Sequence, residues 1–204
     1  LRAYIPTLGP TPSRKPPYCQ NDGPAASVRS YPSLPYLAWS ADQVVVGRVV
    51  EQTARIEVLD GQPYTFTFSL IEVEQRIRGL PEPTLVLGQA GGTPYPGCNQ
   101  AFVGVPIRLG DQYLFLLKSG ESLHSGVTIP LYGPLGAWQG AARIEPDTQG
   151  QDWVIVGTGK RPLAEVLGEL WVVLGQPQPS DPAYQRDFVP LTRAPVAPTP
   201  TPRP

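Results

Sequence analysis

Few residues in this 204-residue chain have the types or the spacing that chemistry requires. His124 is the single histidine, and no serine sits in a Gly-x-Ser-x-Gly elbow, so a hydrolytic triad lacks material. Ser122-Leu123-His124-Ser125 reads instead as a polar turn. Gly157-Thr158-Gly159-Lys160 has the glycines and lysine of a phosphate loop, but not the four-residue spacer or the Ser/Thr after the lysine. Glu72 and Glu74 share a strand face and could pair for acid–base work, although alternating charge on an outer face is ordinarily just solvated. Two cysteines and one histidine leave a transition-metal site almost without ligands. The expected catalytic, metal and cofactor sets are therefore empty, and the expectation is a protein that is not an enzyme.

The two cysteines carry a different signal. Cys19 and Cys98 lie far apart in the chain, with no cluster of soft ligands around either, which points to one disulfide and an oxidising, extracellular compartment. Closing so long a loop contributes about 4–5 kcal/mol in the chain-entropy view. The sequence holds no methionine, so Leu1 is expected to follow a removed segment, either a cleaved secretory signal or a trimmed end. No stretch reaches the ~20 apolar residues of a membrane span, and membrane insertion is not expected. The formal charge is −1, with no run of Lys or Arg, so a nucleic-acid or anionic-membrane footprint is missing.

Composition divides the chain. Its 27 prolines and 21 glycines are too many for a helical bundle, and the prolines crowd toward the two ends. The expected organisation is a Pro-rich N-terminal arm over 1–40, a folded body over 41–174 and a Pro-rich C-terminal arm over 175–204. Both arms are weakly basic, through Arg2, Arg14, Lys15 and Arg29 at one end and Arg186, Arg193 and Arg203 at the other. The body is acidic by difference and can attract them, within a Debye length of about 8 Å.

The body reads as mainly β. Residues 43–50 (QVVVGRVV) predict a curved strand with a bulge at Gly47. In residues 64–77, Phe66, Phe68 and Leu70 alternate with Thr65, Thr67 and Ser69, the period of a half-buried strand. Ile71 and Val73 fall on the opposite parity, which predicts a bulge there or a strand covered on both faces at its far end. Shorter strands are predicted at 84–87, 112–118, 127–131, 141–145 and 153–156, each bounded by turn residues. Such a series suits a closed or nearly closed antiparallel barrel. One helix is predicted over about 163–174, because Leu163, Val166, Leu167, Leu170, Trp171 and Leu174 repeat at helical spacing. Pro162 stands at its first position and Gly175 at its C-terminal cap.

The run Ala41 to Val50, then Ile71 to Gly79 (IEVEQRIRG), then a Pro/Gly loop ending in Gly97-Cys98, then Leu109 to Phe115 (LGDQYLF) resembles the inhibitory domain of tissue inhibitors of metalloproteinases and the related netrin-type modules. The resemblance covers roughly residues 19–120 and implies an OB-fold-like barrel. It also implies that Cys98 corresponds to the family cysteine bonded to the N-terminal one, whose place Cys19 occupies. Inhibition in that family is understood to use a free N-terminal Cys amine on the protease zinc. Here residues precede Cys19, so its nitrogen is an amide and that mechanism needs further processing to expose it.

The arms carry aromatics that a disordered tail would lack: Tyr4, Tyr18, Tyr31, Tyr36 and Trp39 in the first, Tyr184 and Phe188 in the last. Such residues dock on the body of their own chain or on another copy. Leu1 to Ile5 alternates apolar and polar residues and suits strand addition to a neighbour's sheet edge. An extended 30-residue arm reaches about 90 Å, against a body some 35–40 Å across. The leading expectation is a secreted, non-enzymatic structural module that self-associates through its arms, into a filament or surface layer. The assembly contacts would be Leu1, Tyr4, Ile5, Tyr18, Tyr31, Tyr36, Trp39, Tyr184 and Phe188. The competing expectation is a monomeric extracellular binding module or metalloprotease-inhibitor-like protein, gripping another extracellular protein through the loop 88–106 with Gly91, Gly92 and Tyr95.

Overall fold

The computed structural model describes Tyr31 and residues 33–59, 62–124, 127–136, 139–156 and 159–176. Leu1, Tyr4, Ile5, Tyr18, Cys19, Tyr184 and Phe188 lie outside the described residues. Described elements run α1 (Leu34–Ser40), β1 (Gln43–Leu59), β2 (Gln62–Arg78), β3 (Thr84–Ala90), β4 (Gly92–Tyr95), β5 (Cys98–Gln100), β6 (Gln112–His124), β7 (Val127–Pro134), β8 (Ala141–Pro146), β9 (Asp152–Val156), β10 (Gly159–Pro162) and α2 (Leu163–Leu174). The protein is mainly β, with a helix closing its C-terminal end.

Eight strands form one sheet in the order β1-β2-β3-β7-β6-β8-β9-β10, and β1 pairs with β6 as well. The pairings β1–β2–β3–β7–β6–β1 therefore return on themselves. All of these pairs are antiparallel except β3–β7, which is parallel and joined at Leu87 and Tyr132. A wholly antiparallel sheet was expected; the parallel contact arises because β7 leaves β6 by a hairpin and must meet β3 running the same way. β4 and β5 make a separate two-stranded ribbon.

Burial on both faces explains the continuous apolar runs of β1 and β6. Val44 and Val46 of β1, with Leu114 and Leu116 of β6, face a core shared with α1 and α2. Val45 and Val49, with Tyr113, Phe115 and Leu117, face a second core enclosed by the ring of strands, together with Ile71, Leu85, Leu87 and Tyr132. The period-2 alternation survives in where each side chain points, but not in its polarity.

The β1–β2 register is irregular at Val46/Gly47, where a bulge was expected, and again at Val44/Val45 and Val49/Glu51. At Gly47 the strands approach so closely that a Cβ would lie 2.7 Å from both the Glu72 carbonyl oxygen and Ile71 Cγ2. Only a hydrogen fits. On β2 the buried parity runs unbroken through Thr65, Thr67, Ser69 and Ile71, while Phe68 is also buried. The strand is thus covered on both faces at its near end, and the small polar residues, not the phenylalanines, continue the line of Ile71. Phe68 lies under the Arg55 guanidinium, 4.1 Å from the ring centroid. Beyond Arg48, β1 has β2 on one side and no strand on the other among the described residues.

Helix α2 occupies the predicted span, with Leu163, Val166 and Leu170 buried. Pro162 is its N-cap rather than its first helical residue. Trp171, expected on the buried stripe, is 52% exposed. At about 100° per residue it stands about 80° from Leu163, on the rim of the stripe. The N-terminal boundary also differs from expectation: residues 34–40 form α1, and Tyr31, Leu37 and Ala38 join the body's core.

Two carboxylates staple turns. Asp42 accepts from Lys118 Nζ (2.9 Å) and from the backbone N–H (2.9 Å) and hydroxyl of Ser119, tying the start of β1 to β6. Burial alone would raise its pKa, but these donors outweigh it and hold the carboxyl below its ordinary value. Asp147 accepts from Trp153 Nε1 (2.9 Å) and from the backbone N–H groups of Gln149 and Gln151, and its carboxyl is lowered chiefly by the indole bond.

Two outcomes follow. A folded-state pKa below the unfolded one gives stability that is complete above the unfolded value, near 3.8, and that is lost as pH falls through the folded value. Thermal melts across a pH series should stay level with respect to these groups above about pH 5 and decline in acid, less steeply in an Asp42→Asn/Asp147→Asn variant. Gly47→Ala should cost about 1–3 kcal/mol by overpacking, read from the urea midpoint.

Candidate functional site

The residues with chemical potential do not converge. Glu72 is exposed, and Glu74 is held by Arg48 (Nε to Oε1 3.0 Å) and by Gln112, so the two carboxylates form no free pair. Lys160 of the would-be phosphate loop reaches Glu145 instead, at 3.3 Å. Gly157 and Thr158 lie outside the described residues, and His124 closes β6 with its side chain outside them too. Among the described residues, no three His, Cys, Asp or Glu side chains are grouped as metal ligands. Cys98 is buried on β5 at 2% exposure; its expected partner Cys19 falls outside the described residues.

Two surfaces are built with more care. The first is the loop from Gly91 to Asp111, which contains the expected contacts Gly91, Gly92 and Tyr95. Gly91 and Gly92 are buried and Tyr95 is half-buried, so the glycines are structural and only the tyrosine presents a side chain. Gly92 has φ +122°, and a Cβ there would run into Thr67 Oγ1. That hydroxyl donates to the Gly91 carbonyl at 2.7 Å. Three glutamines hold the rest of the loop. Gln89 donates to the carbonyls of Val103 (3.3 Å) and Val105 (2.8 Å) and accepts from the Ile107 N–H. Gln52 donates to the Ile107 carbonyl at 2.9 Å and to Ser69. Gln100 accepts from the Thr65 N–H at 2.8 Å. Tyr113 closes the far end, its phenol oxygen accepting from the Arg108 N–H at 3.0 Å, and burial pushes that phenol above its ordinary pKa. On the buried polar line Thr65-Thr67-Ser69, the Thr67 hydroxyl thus satisfies loop backbone, while Ser69 is met by Gln52 of β1. Val105 and Leu109 remain exposed on the loop's outer side.

The second surface is a groove of about 400 Å³ where α1 meets α2 and the end of β2. Trp39 of α1 and Trp171 of α2 line it, with Ile77 and Arg78 of β2 beneath and Gly175-Gln176 at its rim. Each wall is fastened. Trp39 Nε1 donates to the Val173 carbonyl at 3.2 Å, joining the helices, and Tyr36 packs edge-on against Trp39 with centroids 6.1 Å apart. Arg78 Nη1 donates to the carbonyls of Ala38 and Trp39, both at 3.3 Å, satisfying the open C-terminus of α1. Val172, next to Trp171, is 64% exposed.

Of the residues expected as assembly contacts, Tyr31, Tyr36 and Trp39 are packed in cis. Tyr31 is nearly buried, and its backbone N–H and carbonyl are both bonded by the Gln139 side chain. The reason is α1, which carries this stretch onto the body. Its signal was present in the sequence: Leu34, Leu37, Ala38 and Ala41 stand at helical spacing, obscured by Pro32 and Pro35. The groove follows from that helix and was not foreseen.

No protein-family model matches the chain, and no curated protein matches it.

Replacing Gln89 by Met keeps the side chain's length but strands three loop backbone groups. The expected loss is about 1–3 kcal/mol, with faster amide exchange at 103–107 than in β6, as hydrogen-exchange mass spectrometry would report.

Proposed function

We propose that this chain is a secreted, non-enzymatic structural module with an OB-fold-like barrel of the netrin type, which associates with copies of itself through its Pro-rich arms. The barrel reading is supported by the self-closing order β1-β2-β3-β7-β6 around one apolar interior. Export is supported by the pair Cys19 and Cys98, proposed to form the disulfide that ties the first arm to the loop.

One observation carries the assembly reading: the described residues that border the two arms, Tyr31 and Gln176, both belong to the part of the body roofed by α1 and α2. Tyr31, the first described residue, packs beside the start of α1, and Gln176, the last, lines the groove at the end of α1. An acidic body flanked by two weakly basic, Pro-rich segments is suited to being held by its neighbours. The loop 91–111 favours a second reading, a monomeric binder, because a rigidly held backbone with exposed Val105 and Leu109 is a pre-organised contact surface. Inhibition of a metalloprotease through Cys19 would in addition require removal of residues 1–18.

Sedimentation velocity separates the two. The full chain should show an average mass that rises with concentration, and removal of residues 1–18 or 177–204 should lower it toward the monomer. A single monomer boundary at every concentration would favour the binder.

A further inference from the structure

Resting on the self-association reading, we infer that the groove between Trp39 and Trp171 receives the Pro-rich end of the C-terminal arm, Pro195 to Pro204, from a second copy of this chain. That segment reads PVAPTPTPRP, five prolines in ten residues, with Pro195-Val196-Ala197-Pro198 spaced as a PxxP element. Such a sequence favours the extended polyproline II form, with three residues per turn and no internal hydrogen bonds, so its carbonyls are left to accept from a partner. Surfaces that recognise it combine flat aromatic faces, against which prolines stack at little entropic cost, with a few donors for those carbonyls. The groove supplies both. Trp171 offers a ring that is half exposed, Trp39 forms the facing wall, and Ile77 makes an apolar floor. Arg78 is oriented by the two α1 carbonyls held on its Nη1, and among the described residues its Nη2 and Nε hydrogens have no acceptor. A volume of about 400 Å³ suits a short motif, at the low end of ligand-site sizes.

The occupant comes from another copy because of where the chain leaves the body. Gln176 lines the groove, and the next residues include Pro177, Pro179 and Pro182. No glycine occurs between 177 and 204. Prolines at 177, 179, 182 and 190 bias the segment toward extension, which favours a neighbour's groove over the one beside its own root.

The test uses the full chain. Sedimentation velocity over a concentration series is compared for the unaltered protein, Trp171→Glu, and Pro195→Ala/Pro198→Ala. Trp171 is half exposed, and the second variant leaves the described body untouched. Both should weaken association at least about tenfold. A synthetic peptide of residues 194–204 should quench or shift tryptophan emission in the unaltered protein and dissociate the assembly, whereas a peptide with its prolines replaced by alanine should do neither. Association that persists in both variants and ignores the peptide overturns the groove assignment, while leaving self-association by another contact intact. A protein that is monomeric throughout overturns both the second copy as occupant and the reading beneath it.

Discussion

The architecture depends on one pair of strands, β1 and β6, being dry on both faces. They are hydrogen-bonded to each other from Gln43 to Arg48, and each hands alternate side chains to two separate apolar cores. At about 25 cal/mol per Å² of buried apolar surface, covering both faces makes this pairing strongly favourable. Everything else is placed relative to this pair. The ring of strands wraps its inner face, and α1 and α2 roof its outer face. The close passage at Gly47 lets β2 curl around it without a gap.

The helical roof explains why the first segment does not end where its proline content suggests. An outer face bearing Val44, Val46, Leu114 and Leu116 is too wide for α2 alone, and Tyr31, Leu37 and Ala38 complete the cover. Covering it brings a helix of only seven residues to the surface, too short to be stable by itself. Arg78 and the Trp39–Val173 hydrogen bond hold it there. The groove is what remains between two helices of unequal length packed side by side.

The parts that the sequence made legible are those where side-chain pattern alone decides. Helix α2 is one, since its stripe runs for three turns; the first half of β1 (43–50), the first half of β6 (112–118) and β9 are others, since each holds an apolar run, although β1 and β6 continue well past it as the arms of long hairpins. What stayed hidden depended on contacts distant in the chain. The inward line Thr65-Thr67-Ser69 looked like a solvent face, because its partners lie elsewhere in the chain: the Gly91 carbonyl takes the Thr67 hydroxyl, and Gln52 donates to Ser69. The ribbon β4–β5 has too few residues to show a period. Strand β10 reads Gly-Lys-Arg-Pro and owes its pairing to β9 rather than to any propensity. Of the two surfaces, the loop is marked in the sequence by its glycines and prolines, whereas the groove required knowing that α1 and α2 meet.

The long hairpin of β1 and β2 has one further implication. Its outer flank, from Glu51 to Leu59, is punctuated by Glu51, Arg55 and Glu57, and the opposite end of the sheet finishes in Lys160, Arg161 and Pro162. Backbone at either margin is thus guarded by charge or by a residue that cannot donate, the two commonest safeguards against amyloid-like stacking. Addition of a foreign extended strand to either margin is thereby disfavoured, so the sheet ends where its own chain ends it.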